Sequence, residues 1–285
     1  MFAVHALLAS LALVQGWTST PLSSRRLQPL RATDGKQDIP DEPLNVRRNF
    51  RYKQNSPRAK PQSSASEKPQ LTSRLRVIAG EARGRRLESP STMLRPMMGR
   101  VRESMFSTLI SMGVFNAPRK VAVLDTFCGG GSVGIEAISR GAAFAGFVDL
   151  SREACDVALR NAKACGFETR AGAACVTAES AIEGKAFDGR KFDVVSITPP
   201  YDEVSYKALC DLLASSPIMN EDCVAVIEYP IELGSLPARL GSTGQLVGLR
   251  NRRYGRTVLA FYAYRPTGKL NLDPRPEEFE VSRWK

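Results

Sequence analysis

From Val121 to Tyr229 short apolar runs alternate with helix-length amphipathic segments, a pattern best buried by a parallel sheet covered with helices on both faces. The runs VAVLDTF, FAGFVDL, AACVTA, FDVVSI and CVAVIEY predict strands. Between them GSVGIEAISRG, REACDVALRNAKACG, the short AESAIEG and VSYKALCDLLASS predict helices. The end of the alternation differs: GQLVGLRNRRYGRTVLAFYAY predicts two strands meeting at a turn near Tyr254 and Gly255. The expected fold class is therefore α/β, a Rossmann-like sheet that is mostly parallel with an antiparallel C-terminal strand.

Ahead of this region RLRVIAGEARGRRLESP is broken at Gly80 and Gly84, which predicts a small β-hairpin carrying Arg76, Arg83, Arg85 and Arg86. LRPMMGRVRESMFSTLISM then sets Met98, Val101, Met105, Leu109 and Met112 at helical spacing, a stripe read as core. Arg95, Arg100 and Arg102 lie near its start. These seven arginines are candidates for contact with phosphates, although a solvated charged turn explains the hairpin's charge equally well.

The first residues read as an address rather than a fold. FAVHALLASLALV (Phe2 to Val14) is apolar and too short to span a bilayer comfortably, which suits a signal-peptide core over residues 1–16. Residues 17–33, WTSTPLSSRRLQPLRAT, are rich in Ser and Thr, hold three arginines and no acid, and suit a transit peptide. The pair resembles the bipartite presequence of algae with secondary plastids, so a plastid location is expected, with the mitochondrion as the alternative. Residues 34–73 are rich in Pro, Ser, Gln and Lys and predict a disordered linker. The folded domain is expected at 74–266, followed by a tail at 267–285.

The chain carries a formal charge of +11, which favours a polyanionic partner. The first 74 residues hold 12 basic and 5 acidic side chains and the remainder 28 and 24, so a nucleic-acid surface on the domain has to come from local clustering. His5 is the single histidine and lies in the apolar leader. A mature enzyme without that leader has no imidazole for a Ser-His-Asp triad, a Cys-His pair or a metal. The six cysteines show no C-x-x-C spacing and read as small buried hydrophobes in a reducing compartment.

The chemistry is expected at strand ends. The first strand runs into Asp125 and a loop that fits G-x-G-x-x-G at Gly129, Gly131 and Gly134, where a ligand can approach the backbone closely. Asp149 ends the second strand, placed to accept hydrogen bonds from two ribose hydroxyls. Together they imply a nucleoside-containing cofactor, without deciding which. The fourth strand leads into Thr198-Pro199-Pro200-Tyr201, a rigid turn with a flat aromatic face for a base. Such a corner suits an exocyclic amine that has to be oriented before its nitrogen attacks a methyl group.

In RVIAGEARGRRL, LRPMMGRVRESMF, LDTFCGGGSVGIEAISRGA, TPPY and YGRTVLAFY the chain resembles the RsmD-type guanine-N2 methyltransferases of small-subunit ribosomal RNA, over about Arg76 to Tyr264. The resemblance implies a class I methyltransferase sheet and S-adenosyl-L-methionine as cofactor, with small-subunit rRNA or a pre-ribosomal particle as partner and neither metal nor membrane. It also implies that Asp125, Phe127, Gly129, Gly131, Asp149 and Glu179 border the cofactor. Thr198, Pro199, Pro200 and Tyr201 would hold the target guanine. The family usually has Asp, and related amino-methyltransferases Asn or Ser, where this chain has Thr198, a shorter and uncharged acceptor. DNA adenine and protein glutamine are alternative amines for such a pocket. A catalytically weak RNA-binding assembly factor is the alternative outside catalysis.

Overall fold

The structure is a computed structural model that describes residues 39, 41, 75–91, 97–116 and 120–280. The signal peptide, the transit peptide, Arg95 and all of the linker except Ile39 and Asp41 lie outside the described residues.

Eight strands form one sheet in the order β3-β2-β1-β4-β5-β8-β7-β6. β1 (Ala122–Thr126), β2 (Phe144–Val148), β3 (Ala171–Ala174), β4 (Phe192–Ile197) and β5 (Met219–Pro230) pair in parallel. β8 (Thr257–Tyr264) runs antiparallel to β5, and β7 (Leu246–Tyr254) antiparallel to β8. The mostly parallel sheet with its antiparallel C-terminal pair is thus the one expected from sequence. A two-residue β6 (Arg239–Leu240) was not expected. β3 covers Ala171–Ala174 rather than 173–178, because Thr177 leaves the sheet and its hydroxyl caps the next helix by accepting from Ser180 N at 3.0 Å.

Three helices cover one face: α1 (Gly99–Ser111), α2 (Ser132–Ser139) and α3 (Arg152–Ala164). They pack on Val123, Val194, Val224, Leu259 and Phe261 at one end and on Ala145 and Phe147 at the other. α4 (Ala178–Ile182) and α5 (Tyr206–Ala214) cover the opposite face over Leu124, Val195, Ile197, Ala225 and Tyr262. The α1 stripe is buried at Val101, Met105, Leu109 and Met112, but Met98 precedes the first helical turn and is 43% exposed.

The expected N-terminal hairpin is reduced to one antiparallel bridge, Arg76 with Arg86, closed by a turn with Gly80 and Gly84 at positive φ. Both the expected linker and the tail carry anchors. Ile39 packs partly buried against the α5 side of the core, and Asp41 lies 3.5 Å from Lys207. In the tail beginning at residue 267, Leu272 and Phe279 are buried, and the Phe279 ring rests 5.2 Å from that of Tyr262. Gly248 makes room for it, since a Cβ there would stand 2.6 Å from Phe279 Cε2.

Candidate active site

Strand register builds the site. Thr126 lies level with Val148 and Ile197, and Val148 with Ala174, so four strands finish at one edge. Phe127, Asp149, Cys175 and Thr198 therefore follow their strands at that common edge, where an open α/β sheet places its ligands. After β1 the chain turns through Phe127 (φ 56°), Gly129 (φ 51°) and Gly131 (φ 75°), all left-handed, before α2 starts at Ser132. A phenylalanine in this region carries backbone strain, as functional loops often do.

The loop is tied to its neighbours by backbone bonds. Cys128 N donates to the Val148 carbonyl at 3.0 Å, and Gly129 N donates to Asp149 Oδ2 at 2.9 Å. Ser151 N donates to Asp149 Oδ1, also at 2.9 Å. Each carboxylate oxygen offers more than one lone pair, so Asp149 is held in place with acceptor capacity left for two hydroxyls.

Asp125 is 1% exposed. Its Oδ2 accepts from Gly134 N at 2.9 Å, while Oδ1 has no partner among the described residues. Burial pushes its carboxyl up to about 7, against the opposing pull of the Gly134 amide. A buried acceptor left unmet is costly, and the positive charge of buried Arg102 offsets part of that cost. The ribose diol of S-adenosylmethionine matches half-buried Asp149 beside the glycine loop, so the residues present fit this cofactor.

Packing places its own demand on two of the glycines. A Cβ on Gly134 would stand 2.5 Å from Phe147 Cε1, and one on Gly131 would stand 2.8 Å from Ala158 Cβ. At these two positions side chains are excluded by the packing of α2 against β2 and α3. Glu179 sits exposed in the first turn of α4, and among the described residues no hydrogen bond or ion pair joins it to the loop.

Across the edge, the Thr198 hydroxyl donates to the Thr126 carbonyl at 3.3 Å, which fastens the Pro-Pro turn to the end of β1. Its proton is thereby used and its lone pairs remain as acceptors. Pro199 is buried, and Thr198, Pro200 and Tyr201 are half-buried. The Tyr201 hydroxyl donates to Glu228 Oε1 at 2.7 Å and bonds Thr257 Oγ1 at 3.0 Å. The Tyr206 hydroxyl donates to the Glu228 carbonyl at 3.3 Å. Sequence reasoning missed Glu228 and Thr257; an acid near the end of the apolar run CVAVIEY was the available signal.

Residues 75–263 match the family described as conserved hypothetical protein 95. The chain belongs to this family of RsmD-type methyltransferases. It is 34% identical over 192 residues to YlbH of Bacillus subtilis, provisionally named as an rRNA methyltransferase, covering 67% of this chain and 100% of that one. It is 30% identical over 161 residues to ribosomal RNA small subunit methyltransferase D of Escherichia coli K12, covering 56% and 77%. Among solved structures, YhhF of Escherichia coli, provisionally named as a methyltransferase, superposes with a TM-score of 0.54 at 26% identity, over 67% of this chain and 98% of that one.

The arginines expected to meet RNA divide in this RsmD-type fold. Arg76, Arg83, Arg85, Arg86 and Arg100 are exposed. Arg102 is 1% exposed and is not a surface contact. Its Nη2 donates to the Arg76 carbonyl at 2.5 Å, and its Nε lies 3.8 Å from Glu136 Oε2. Glu136, also buried, accepts from Ile78 N at 2.7 Å, Ala79 N at 3.0 Å and Arg140 Nε at 2.7 Å. Burial lowers the Arg102 pKa, while Glu136 and Asp125 oppose that fall. Arg102 thus joins α1, α2 and the N-terminal segment. Glu136 was also missed, although an acid inside the apolar helix GSVGIEAIS marks an interior partner.

The turn at Gly80 to Gly84 docks on Ser139, the last residue of α2 and the one farthest from the glycine loop. Glu81 N donates to the Ser139 carbonyl at 2.8 Å, and Ala82 N to its Oγ at 3.0 Å. Among the described residues no helix is long and apolar enough to cross a membrane, and no group of three or more His, Cys, Asp or Glu side chains could hold a metal ion.

Proposed function

We propose that this methyltransferase modifies the exocyclic N2 amine of a guanine in the small-subunit ribosomal RNA of an organelle, most directly the plastid. The observation that carries the reading is the bond from the Thr198 hydroxyl to the Thr126 carbonyl, because it seats the amine-holding turn beside the loop that takes the cofactor. S-adenosylmethionine, when bound, supplies a methyl group on a sulfonium that needs no further activation.

The chain's residues supply alignment. Asp125, buried beneath the loop, fixes the start of α2 through Gly134 N, and Asp149 holds a diol. The Thr198 lone pairs and the carbonyls near Pro199 orient the NH2 of the base, and attack then only requires the nitrogen in line with the methyl carbon. The proton released after attack leaves from the amine toward these acceptors. The Tyr201 ring offers a face for stacking, with its hydroxyl pinned by Glu228 and Thr257, once the base has left its helix. The names of the relatives support rRNA over DNA adenine or protein glutamine as substrate.

Methylated guanines mapped in organellar small-subunit rRNA, with and without this gene product, test the reading. Loss of one N2-methylguanine is the expected difference; an unchanged map would overturn it. A tagged full-length chain imaged in the source cells should enter the plastid, and retention outside every organelle would overturn the location.

A further inference from the structure

We infer that the tip of the β7–β8 hairpin, together with Arg100 at the start of α1, is a phosphate-contact surface that holds the RNA backbone beside the target base. The inference rests on the RNA reading above and adds to Arg100, an arginine already expected to meet phosphate, a hairpin tip that the sequence motifs did not assign. Arg250, farther back in β7, is held by Asp273, while Arg252, Arg253 and Arg256 lie at the end of β7 and in the turn after it with no acid between them. Thr257, the next residue, pairs with Pro230 at the end of β5, which places the tip at the edge where the cofactor loop and the Pro-Pro turn also lie. Its hydroxyl bonds that of Tyr201, so the tip begins one side chain away from the proposed base pocket.

The tip is open and fixed. Arg253, Gly255 and Arg256 are exposed, and no heavy atom lies within 4 Å of where a Gly255 Cβ would stand. Arg253 Nε donates to the Gly255 carbonyl at 2.9 Å, and Ile231 N donates to the Arg256 carbonyl at 2.9 Å. The Tyr254 hydroxyl bonds Ser104 Oγ, which ties the tip to α1. α1 runs alongside α2 in the same sense, since Arg102 meets Glu136 and the Arg140 guanidinium lies 5.2 Å above the Phe106 ring. Its first turn, carrying exposed Arg100, is therefore on the side of the glycine loop.

Arg256 pairs with Glu232, and Arg252 lies 3.3 Å from Glu278. The Arg256 pair is exposed enough to exchange for phosphate at little cost. The N-terminal turn with Arg83 and Arg85 lies at the far end of α2, so it meets a more distant stretch of RNA. Phosphate contacts of this kind position a nucleic acid without reading its sequence.

The test compares the full chain with its Arg253→Ala/Arg256→Ala variant and with a remote control, Lys163→Ala. The probe is a small-subunit rRNA transcript, with duplex DNA as comparator, titrated from low to physiological salt. The double variant should raise KM for the transcript roughly tenfold with kcat nearly unchanged, and flatten the salt dependence of binding by about one phosphate contact per arginine lost. S-adenosylmethionine affinity should stay the same in all three proteins, which reports that the variants are folded. An unchanged KM and salt slope in the double variant, while the parent chain binds and methylates the transcript, overturns this surface alone. A parent chain that binds S-adenosylmethionine but neither binds nor methylates the transcript overturns the RNA reading, and this surface with it.

Discussion

The Tyr201 hydroxyl donates to Glu228 Oε1 at 2.7 Å, and this bond couples the loop after β4 to the end of β5. The ring plane is therefore set by the sheet rather than by the loop's own turn. Tyr201→Phe keeps the stacking face but loses the bonds to Glu228 and Thr257, each worth about 1 kcal/mol, and should lower kcat/KM for RNA by up to roughly 30-fold. Tyr201→Ala also loses the face, and stacking is worth about 1–3 kcal/mol per base, so a larger fall is expected. Steady-state kinetics on the rRNA transcript order the two variants; equal activity in both would remove the ring from the site.

Burial pushes the Asp125 carboxyl up to about 7, so folding stability depends on its titration. A carboxyl raised on folding favours the native state when protonated, so this contribution is complete below the ordinary carboxylate range and is lost as pH rises through about 7. Denaturant unfolding of wild type and Asp125→Asn over this range checks it. The variant should lose this part of the pH dependence, and an unchanged profile would contradict the shift.

Gly134 faces Phe147, with room for no side chain. Gly134→Ala would drive a methyl to 2.5 Å from Phe147 Cε1 and should destabilise the fold by about 1–3 kcal/mol. Phe147→Leu in the same chain should recover part of that loss, because the clash is with one edge of the ring. Denaturant unfolding of the single and double variants measures it. A loss of cofactor binding without loss of stability would instead assign Gly134 to the ligand.

The parallel sheet and its antiparallel closure were legible in the sequence because buried strands write uninterrupted apolar runs, and so was the common edge carrying Asp125, Asp149 and Thr198. Partners were not legible. Arg102 reads as one of several arginines near a helix start, and only the fold reveals that Glu136, in the next helix, draws it inside. Glu228 and Thr257 reach Tyr201 from two strands far along the chain, a meeting set by sheet order and invisible in local pattern. Gly134 was readable as obligatory, but whether it makes room for a ligand or for Phe147 is a matter of packing. The anchors of the tail, Leu272 and Phe279, were not legible for a related reason: they are too few and too widely spaced to show a period.

Glu136 is a buried acid shared by Arg140 at 2.7 Å and Arg102 at 3.8 Å, so removing its charge leaves the buried Arg102 guanidinium without its partner. Glu136→Gln should cost about 3–5 kcal/mol, more than loss of a surface pair, because the guanidinium loses its compensating charge in the interior. Chemical denaturation provides the number. A change below that of the exposed control Lys207→Ala would contradict the assignment of this pair as the joint between α1 and α2.

The alignment of an amine held at Thr198 with a methyl donor held at Asp149 and the glycine loop is tested most directly by transfer with purified protein. Small-subunit rRNA lacking modification is incubated with the chain and S-adenosylmethionine carrying a deuterated methyl group, and the RNA is digested to nucleosides for mass spectrometry. The account predicts the heavy methyl in N2-methylguanosine, with a sharply lower yield from Thr198→Val at unchanged cofactor affinity. Heavy methyl in an adenosine instead, or full yield from Thr198→Val, would contradict it.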